Sequence, residues 1–211
     1  MMADRSSGPV GSWTVGAFLD AVADEVPVPG GGAVDGTVTA LVAALAEMAG
    51  RYVRGHAADP AETACLVARS KALRAQASRL ADEDAAAYQR YVEASRLPKE
   101  PDAEARRAAV RAALEAAADV PPALAAVATQ VVEVAAELAA SGNPRLRSDA
   151  CTAALPAAAT ARSAALLVRE NLRARPDAPR TAAAERNAVR AASRAAGLVA
   201  PSHHLPDRTT S

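Results

Sequence analysis

One carboxylate on an otherwise apolar helix seam is the residue best placed to do chemistry in this 211-residue chain. Leu66, Ser70, Leu73, Ala77, Leu80, Asp84, Ala87 and Tyr91 recur at alternating four- and three-residue steps, so they share one face of a helix. Asp84 is the charged member; its neighbours Asp82 and Glu83 fall off the seam and face water. A carboxylate withdrawn from water loses hydration, and its pKa rises toward neutrality unless a cation pairs with it. That is the property a general acid/base needs. A buried aspartate held by an arginine or by a helix cap leaves the same mark, and by pattern alone it is the commoner arrangement.

The second feature is Gly30-Gly31-Gly32 ahead of a helix. Free N–H groups at a helix start can hold a carboxylate or phosphate, and glycines let a ligand approach the backbone. For a bare glycine triplet, a tight connection between two helices is the better reading. Ser148 and Asp149 stand at another helix start, as a cap and a first-turn acid; Asp149 is also a candidate second carboxylate. His56, His203 and His204 have no metal-ligand spacing with other His, Cys or acidic residues, so no metal site is expected. Neither GxxxxGK[ST] nor GxGxxG occurs, and no Ser-His-Asp or Cys-His arrangement suggests itself. The arginines between 162 and 194 are interleaved with Glu and Ala, the pattern of a solvated helix face.

Positioning these residues calls for long helices. Hydrophobic residues make up 51% of the chain and aromatics 2%, so the core must be Ala, Val and Leu, a composition that favours close-packed helices over sheets. The expected fold is all-α, a bundle of about six to seven long antiparallel helices that dimerise through helix faces. Residues 1–11 are expected to lie outside the fold as a disordered segment, polar and unlike a signal peptide. The helical domain spans 12–175, an additional helix 176–197, and a flexible tail 198–211.

Within the domain, helices are expected at 14–25, 33–55, 60–95, 102–118, 121–141 and 148–174. Ser12 or Thr14 caps the first, Asp59-Pro60 starts the third, Ser148 caps the sixth, and Pro156 interrupts that last one. In the second helix Val34, Val38, Leu41, Leu45, Met48 and Tyr52 mark a buried stripe. In the fifth, Leu124, Val127, Val131, Val134 and Leu138 do the same. The additional helix has almost no large apolar residue, which suggests loose packing or an oligomer contact.

Lys+Arg and Asp+Glu both number 24, a balance that argues against a nucleic-acid binder. The longest apolar run, 123–140, is broken by Gln130, Glu133 and Glu137, so no membrane span is expected. Cys65 and Cys151 are far apart and read as buried free thiols, which places the chain in the cytoplasm.

The order of the motifs resembles the cyclodeaminase domain of the formiminotransferase-cyclodeaminase family and its stand-alone bacterial relatives, the methenyltetrahydrofolate cyclohydrolases. Thr14-Val-Gly-Ala-Phe-Leu19 is similar to the family's opening helix, and Pro29-Gly-Gly-Gly32 to its glycine loop. Asp82-Glu-Asp-Ala-Ala-Ala-Tyr88 is similar to its D-x-D-A-x-A-[FY] segment. Leu97-Pro-Lys99, Val120-Pro121, Gly142-Asn143, Arg147-Ser-Asp149 and Asn171-Leu172 follow in the family's order. The resemblance covers residues 12–174.

It implies a homodimeric folate enzyme, acting as formimidoyltetrahydrofolate cyclodeaminase, 5,10-methenyltetrahydrofolate cyclohydrolase or both. Folate would sit in a cleft near the subunit contact, with no cofactor beyond the tetrahydrofolate substrate. Asp84 is then the catalytic acid/base and Asp149 orients pterin or water. Gly30, Gly31, Gly32, Tyr88, Ser148 and Asn171 hold the substrate, the glycines taking an anionic part of folate. Ala33 stands where the family usually has Ser, Asp35 where it has Ala, His56 and Ala57 where it has basic residues, and Leu167 where it has Asn. These departures leave two alternatives open: a diverged member serving as a helical binding or assembly protein without catalysis, or one turned to another one-carbon substrate.

Overall fold

The computed structural model describes residues 8–52, 59–98, 102–173 and 177–200. Expectations for His56, Ala57, His203 and His204 lie outside the described residues. Within them are seven α-helices and no strand: α1 (Val15–Ala23), α2 (Gly31–Arg51), α3 (Pro60–Arg96), α4 (Ala103–Ala117), α5 (Val120–Ser141), α6 (Arg147–Asn171) and α7 (Ala178–Val199). α2 lies against α3, α5 and α6; α7 covers α5 and α6, and α4 rests on α3.

Short polar side chains start the helices. The Thr14 hydroxyl accepts from Ala17 N–H at 3.2 Å. Asp59 accepts from Ala61 and Glu62 N–H at 2.8 and 3.2 Å, with Pro60 at the first helical position. Asp102 and Asp177 accept from Ala105 and Arg180 N–H at 2.8 and 3.1 Å. Each bond satisfies an amide that a helix start leaves without an intrahelical partner. Ser148 does not do this: α6 begins at Arg147, directly after a 3-10 turn at Pro144–Leu146, so Ser148 is already inside the helix.

The core is built from small side chains, and this overturns the expected stripe on α2. Its buried residues are Gly32, Ala33, Asp35, Gly36, Thr39, Val42, Ala43, Ala46, Glu47, Ala49 and Gly50. Leu41 is 58% exposed and Tyr52 66%. The reason is how closely the helices approach. A Cβ on Gly36 would come within 2.8 to 2.9 Å of Ala81 Cβ, Cα and N, and one on Gly50 within 2.7 Å of Val67 Cγ2. No stripe of leucines fits between axes that close. The α5 seam of Leu124, Val127, Val131, Val134 and Leu138 is buried throughout.

Three further expectations change. α7 does not pack loosely: Ala184, Ala188, Ala191 and Ala195 are buried in the core, Thr129 Oγ donates to Asn187 O at 3.1 Å, and Arg190 pairs with Glu133 at 3.0 Å. The segment near Val10 forms a 3-10 turn with Val10 buried, and Gly11 N–H donates to Asp82. Cys65 is exposed, while Cys151 is buried.

Three stretches reach the length and hydropathy of a membrane span, contrary to expectation: Gly31–Arg51, Ala103–Ser141 and Pro144–Asn171. Half or more of each apolar window is buried inside the bundle, at 56%, 61% and 50%, so their apolar character serves helix packing.

Candidate active site

A cleft of about 790 Å³ opens between the loop ahead of α2, the later half of α3, the end of α4 and the C-terminal end of α6. Its size is ordinary for a small-molecule site. α3 contributes Asp84, Tyr88 and Tyr91, which share a helix face by their four- and three-residue spacing. The two tyrosine rings lie 5.9 Å apart, tilted at 43°. Gly30, Gly31 and Gly32 line the cleft beside Asp84, and α6 adds Leu167 and Asn171. Arg106 of α4 fixes the α3 end of the cleft by donating to Leu97 O at 3.0 Å and Ser95 O at 2.9 Å, carbonyls the helix terminus leaves open.

Asp84 is held at the mouth of α2. Ala33 N–H, in the first turn of α2, donates to its carboxylate. The Asp84 carboxylate occupies the space where a Cβ on Gly32 would lie. Glycine at 32 is thus required by close approach, not by backbone conformation. Burial pushes the Asp84 carboxyl above its usual range, and the Ala33 bond opposes that only in part. The helix-cap alternative is thus partly realised, with one helix's acid capping another. The space beside the glycine turn is taken by the protein's own carboxylate.

Behind Asp84 lies a second acid. Asp35 is 7% exposed, and its Oδ2 has no hydrogen-bond partner among the described residues. Burial drives its pKa up to about 6; a hydrogen bond from Ser163 opposes this, and the neighbouring Asp84 charge reinforces it. From about pH 3.8 to 6 the folded protein holds this proton while the unfolded chain has released it, so stability falls as pH rises through that window. Above it the loss is complete and amounts to about 3 kcal/mol. Glu47, also buried on α2, differs: burial raises its carboxyl, but Arg51 and Arg74 together bring it below the usual range, Arg74 at 3.0 Å.

The structure therefore gathers Gly30, Gly31, Gly32, Asp84, Tyr88 and Asn171 at one cleft. Ser148 and Asp149 are not among its lining residues. Both sit at the far end of α6, and Asp149 is about 33 Å from Asn171 along the axis at 1.5 Å per residue. A straight helix this long cannot bring both ends to one cleft. Tyr91, Leu114, Glu170 and Arg173 line the cleft without having been singled out as site residues. Tyr91 was legible as a seam position; Leu114, 43% exposed, shows only that α4 carries a large apolar residue off its buried face.

A family described as formiminotransferase-cyclodeaminase matches residues 14–190. A methenyltetrahydrofolate cyclohydrolase of Methylorubrum extorquens is 36% identical over 166 residues, covering 76% of this chain and 80% of that protein. A formimidoyltransferase-cyclodeaminase of Sus scrofa is 34% identical over 142 residues, 65% of this chain but 26% of that longer protein. The crystal structure of a formiminotetrahydrofolate cyclodeaminase from Thermotoga maritima superposes with a TM-score of 0.74 at 26% identity, over 90% of this chain and 93% of that one.

Proposed function

Because the chain belongs to the formiminotransferase-cyclodeaminase family, we propose that it is a folate one-carbon enzyme. In this reading it closes or opens the one-carbon bridge between N5 and N10 of tetrahydrofolate, with Asp84 as general acid/base. The observation that carries it is the position of Asp84: a carboxyl of raised proton affinity, fixed by Ala33 N–H, facing a cleft walled by tyrosines.

In hydrolysis, water attacks the methenyl carbon of the cationic ring. Asp84 takes one of the water's protons and returns it to N5 as the N5–carbon bond breaks, while the remaining hydroxyl proton leaves to solvent as the formyl carbonyl forms, giving the 10-formyl product. In deamination, N10 attacks the formimino carbon, and the same carboxyl carries the N10 proton to the amine that leaves as ammonia. Deamination develops amidinium charge at that carbon as ammonia leaves, and in hydrolysis the substrate brings the same charge; an adjacent carboxylate complements it in both. Tyr88 and Tyr91 offer flat faces to the ring system, and Asn171 a polar anchor. The chemistry calls for no cofactor beyond the tetrahydrofolate substrate, and we place it in the cytoplasm. Two assays on purified protein test the reading: decay of near-UV absorbance of 5,10-methenyltetrahydrofolate, and ammonia release from 5-formiminotetrahydrofolate. Turnover of neither overturns it.

A homodimer belongs to the same proposal. α1 is a nine-residue helix with no buried residue; Val15 is 69% exposed and Leu19 61%. A helix that short does not persist in water unless its apolar face is covered. With Leu41 of α2 it borders a groove of about 420 Å³. A second copy bringing the same face closes both grooves about a two-fold axis. The expected mass in solution is that of two chains, and Leu19→Glu with Leu41→Glu should halve it. Light scattering after size exclusion checks this; a monomeric unmodified protein removes the dimer.

A further inference from the structure

We propose that Asp35 and Asp84 form one coupled acid pair whose protons leave in two steps, Asp84 first, so that the Asp84 charge keeps the proton on Asp35 behind it. The proposal rests on the reading of Asp84 as the acid/base and deepens it.

Three observations carry it. Asp35 does not line the cleft, yet it stands one helical turn after Gly32, the residue against which the Asp84 carboxylate lies. It is more than nine-tenths buried, and one of its oxygens has no partner among the described residues, an arrangement that an ordinary helix contact would not retain. Its carboxyl also begins a polar track between α2 and α6. Ser163 bonds the Asp35 side chain, and one turn on, Thr39 donates to Asp35 O at 2.8 Å and meets Thr160 at 3.1 Å. Alanines fill most of the surrounding helix contacts, so a strip of acid and hydroxyl groups there is costly to keep.

The charges around the pair leave Asp84 as the group that acts on Asp35. α3 brings Asp84 and the Tyr88 and Tyr91 phenols, and α6 brings the Ser163 hydroxyl. Glu170 and Arg173 of α6 line the cleft rather than Asp35's pocket, and α4 contributes Leu114 and Ala117. On α5, Glu133 and Glu137 pair with Arg69, and Glu133 also with Arg190. On α2 itself, Glu47 is held by Arg51 and Arg74. Two neighbouring like charges, neither of them ion-paired among the described residues, resist ionising together, and their protons leave as steps of the pair.

The test is carboxyl-carbon NMR titration of the full-length protein, alongside the pH dependence of kcat/KM. In Asp84→Asn the Asp35 titration should move to lower pH by about one pH unit, because the charge that holds its proton is gone. In Asp35→Asn the Asp84 step should stay in place together with the acid limb of the rate profile, since Asp35 is neutral when Asp84 ionises. Asp84→Ala guards against misfolding of the amide variant and should give the same direction for Asp35. An Asp35 titration unmoved in both Asp84 variants overturns the proposal. Full activity in Asp84→Asn would instead remove the acid/base assignment while leaving the titrations to report on the pair.

Discussion

Replacing Asp84 with asparagine should lower kcat for folate turnover by about 10²- to 10⁴-fold, the usual weight of a positioned general acid/base. The substitution separates chemistry from fold. Asparagine keeps the shape of the side chain and still offers an oxygen to Ala33 N–H, so the start of α2 stays satisfied. It removes a group whose charged form is disfavoured by burial, so thermal stability should hold or rise. What disappears is the capacity to accept and return a proton. The measurement is the decay of methenyltetrahydrofolate absorbance, with a melting curve on the same preparation. A rate within a few-fold of the unmodified enzyme would take the role from Asp84.

Gly32→Ala should be nearly as damaging, by displacement. The added methyl lands on Asp84 Oδ1, Cγ and Oδ2. The obstacle is a short side chain and not backbone, so the fold can yield, at a cost of about 1–3 kcal/mol. The carboxylate then leaves Ala33 N–H and the cleft-facing position. A misplacement of about 1 Å at a reacting centre can cost about 100-fold in rate. Gly197→Ala in α7 is the control: nothing lies within 4 Å of a Cβ there, and the change should stabilise the helix by about 0.5–1 kcal/mol with activity unaltered. Wild-type turnover in Gly32→Ala would mean that the seat of Asp84 is not used in the reaction.

Much of this arrangement was legible from local physics. Asp59-Pro60 and Asp102 start helices where their capping chemistry says they should. The α5 seam is buried because its large residues keep one phase against several neighbours. Asp84 stands out because a charge interrupts an apolar face. Where the reading failed, the failures share a cause, which is that hydrophobic periodicity identifies a face but not what covers it. On α2 the large residues of the stripe are half-buried or exposed, while alanine and glycine fill most of the buried positions, because only small residues allow α3 to come so near. On α7 the same scarcity of large residues looked like loose packing and is instead an alanine seam. Ser148 and Asp149 were placed at the site by motif order, which carries no information about which end of a helix faces the cleft. Asp35 had no apolar phase to violate that a heptad count of leucines could detect.

The contact of Gly36 with Ala81 also bears on motion. It is the later along α3 of two close contacts with α2, Gly50 with Val67 being the other, and the acid sits three positions beyond it. If α3 bends by 10° beyond that contact, Asp84 travels about 0.8 Å, at 1.5 Å of rise per residue. Tyr91, ten positions along, travels about 2.6 Å by the same rise. Such a bend would widen or narrow the aromatic wall while the proton-carrying group kept its register with the start of α2.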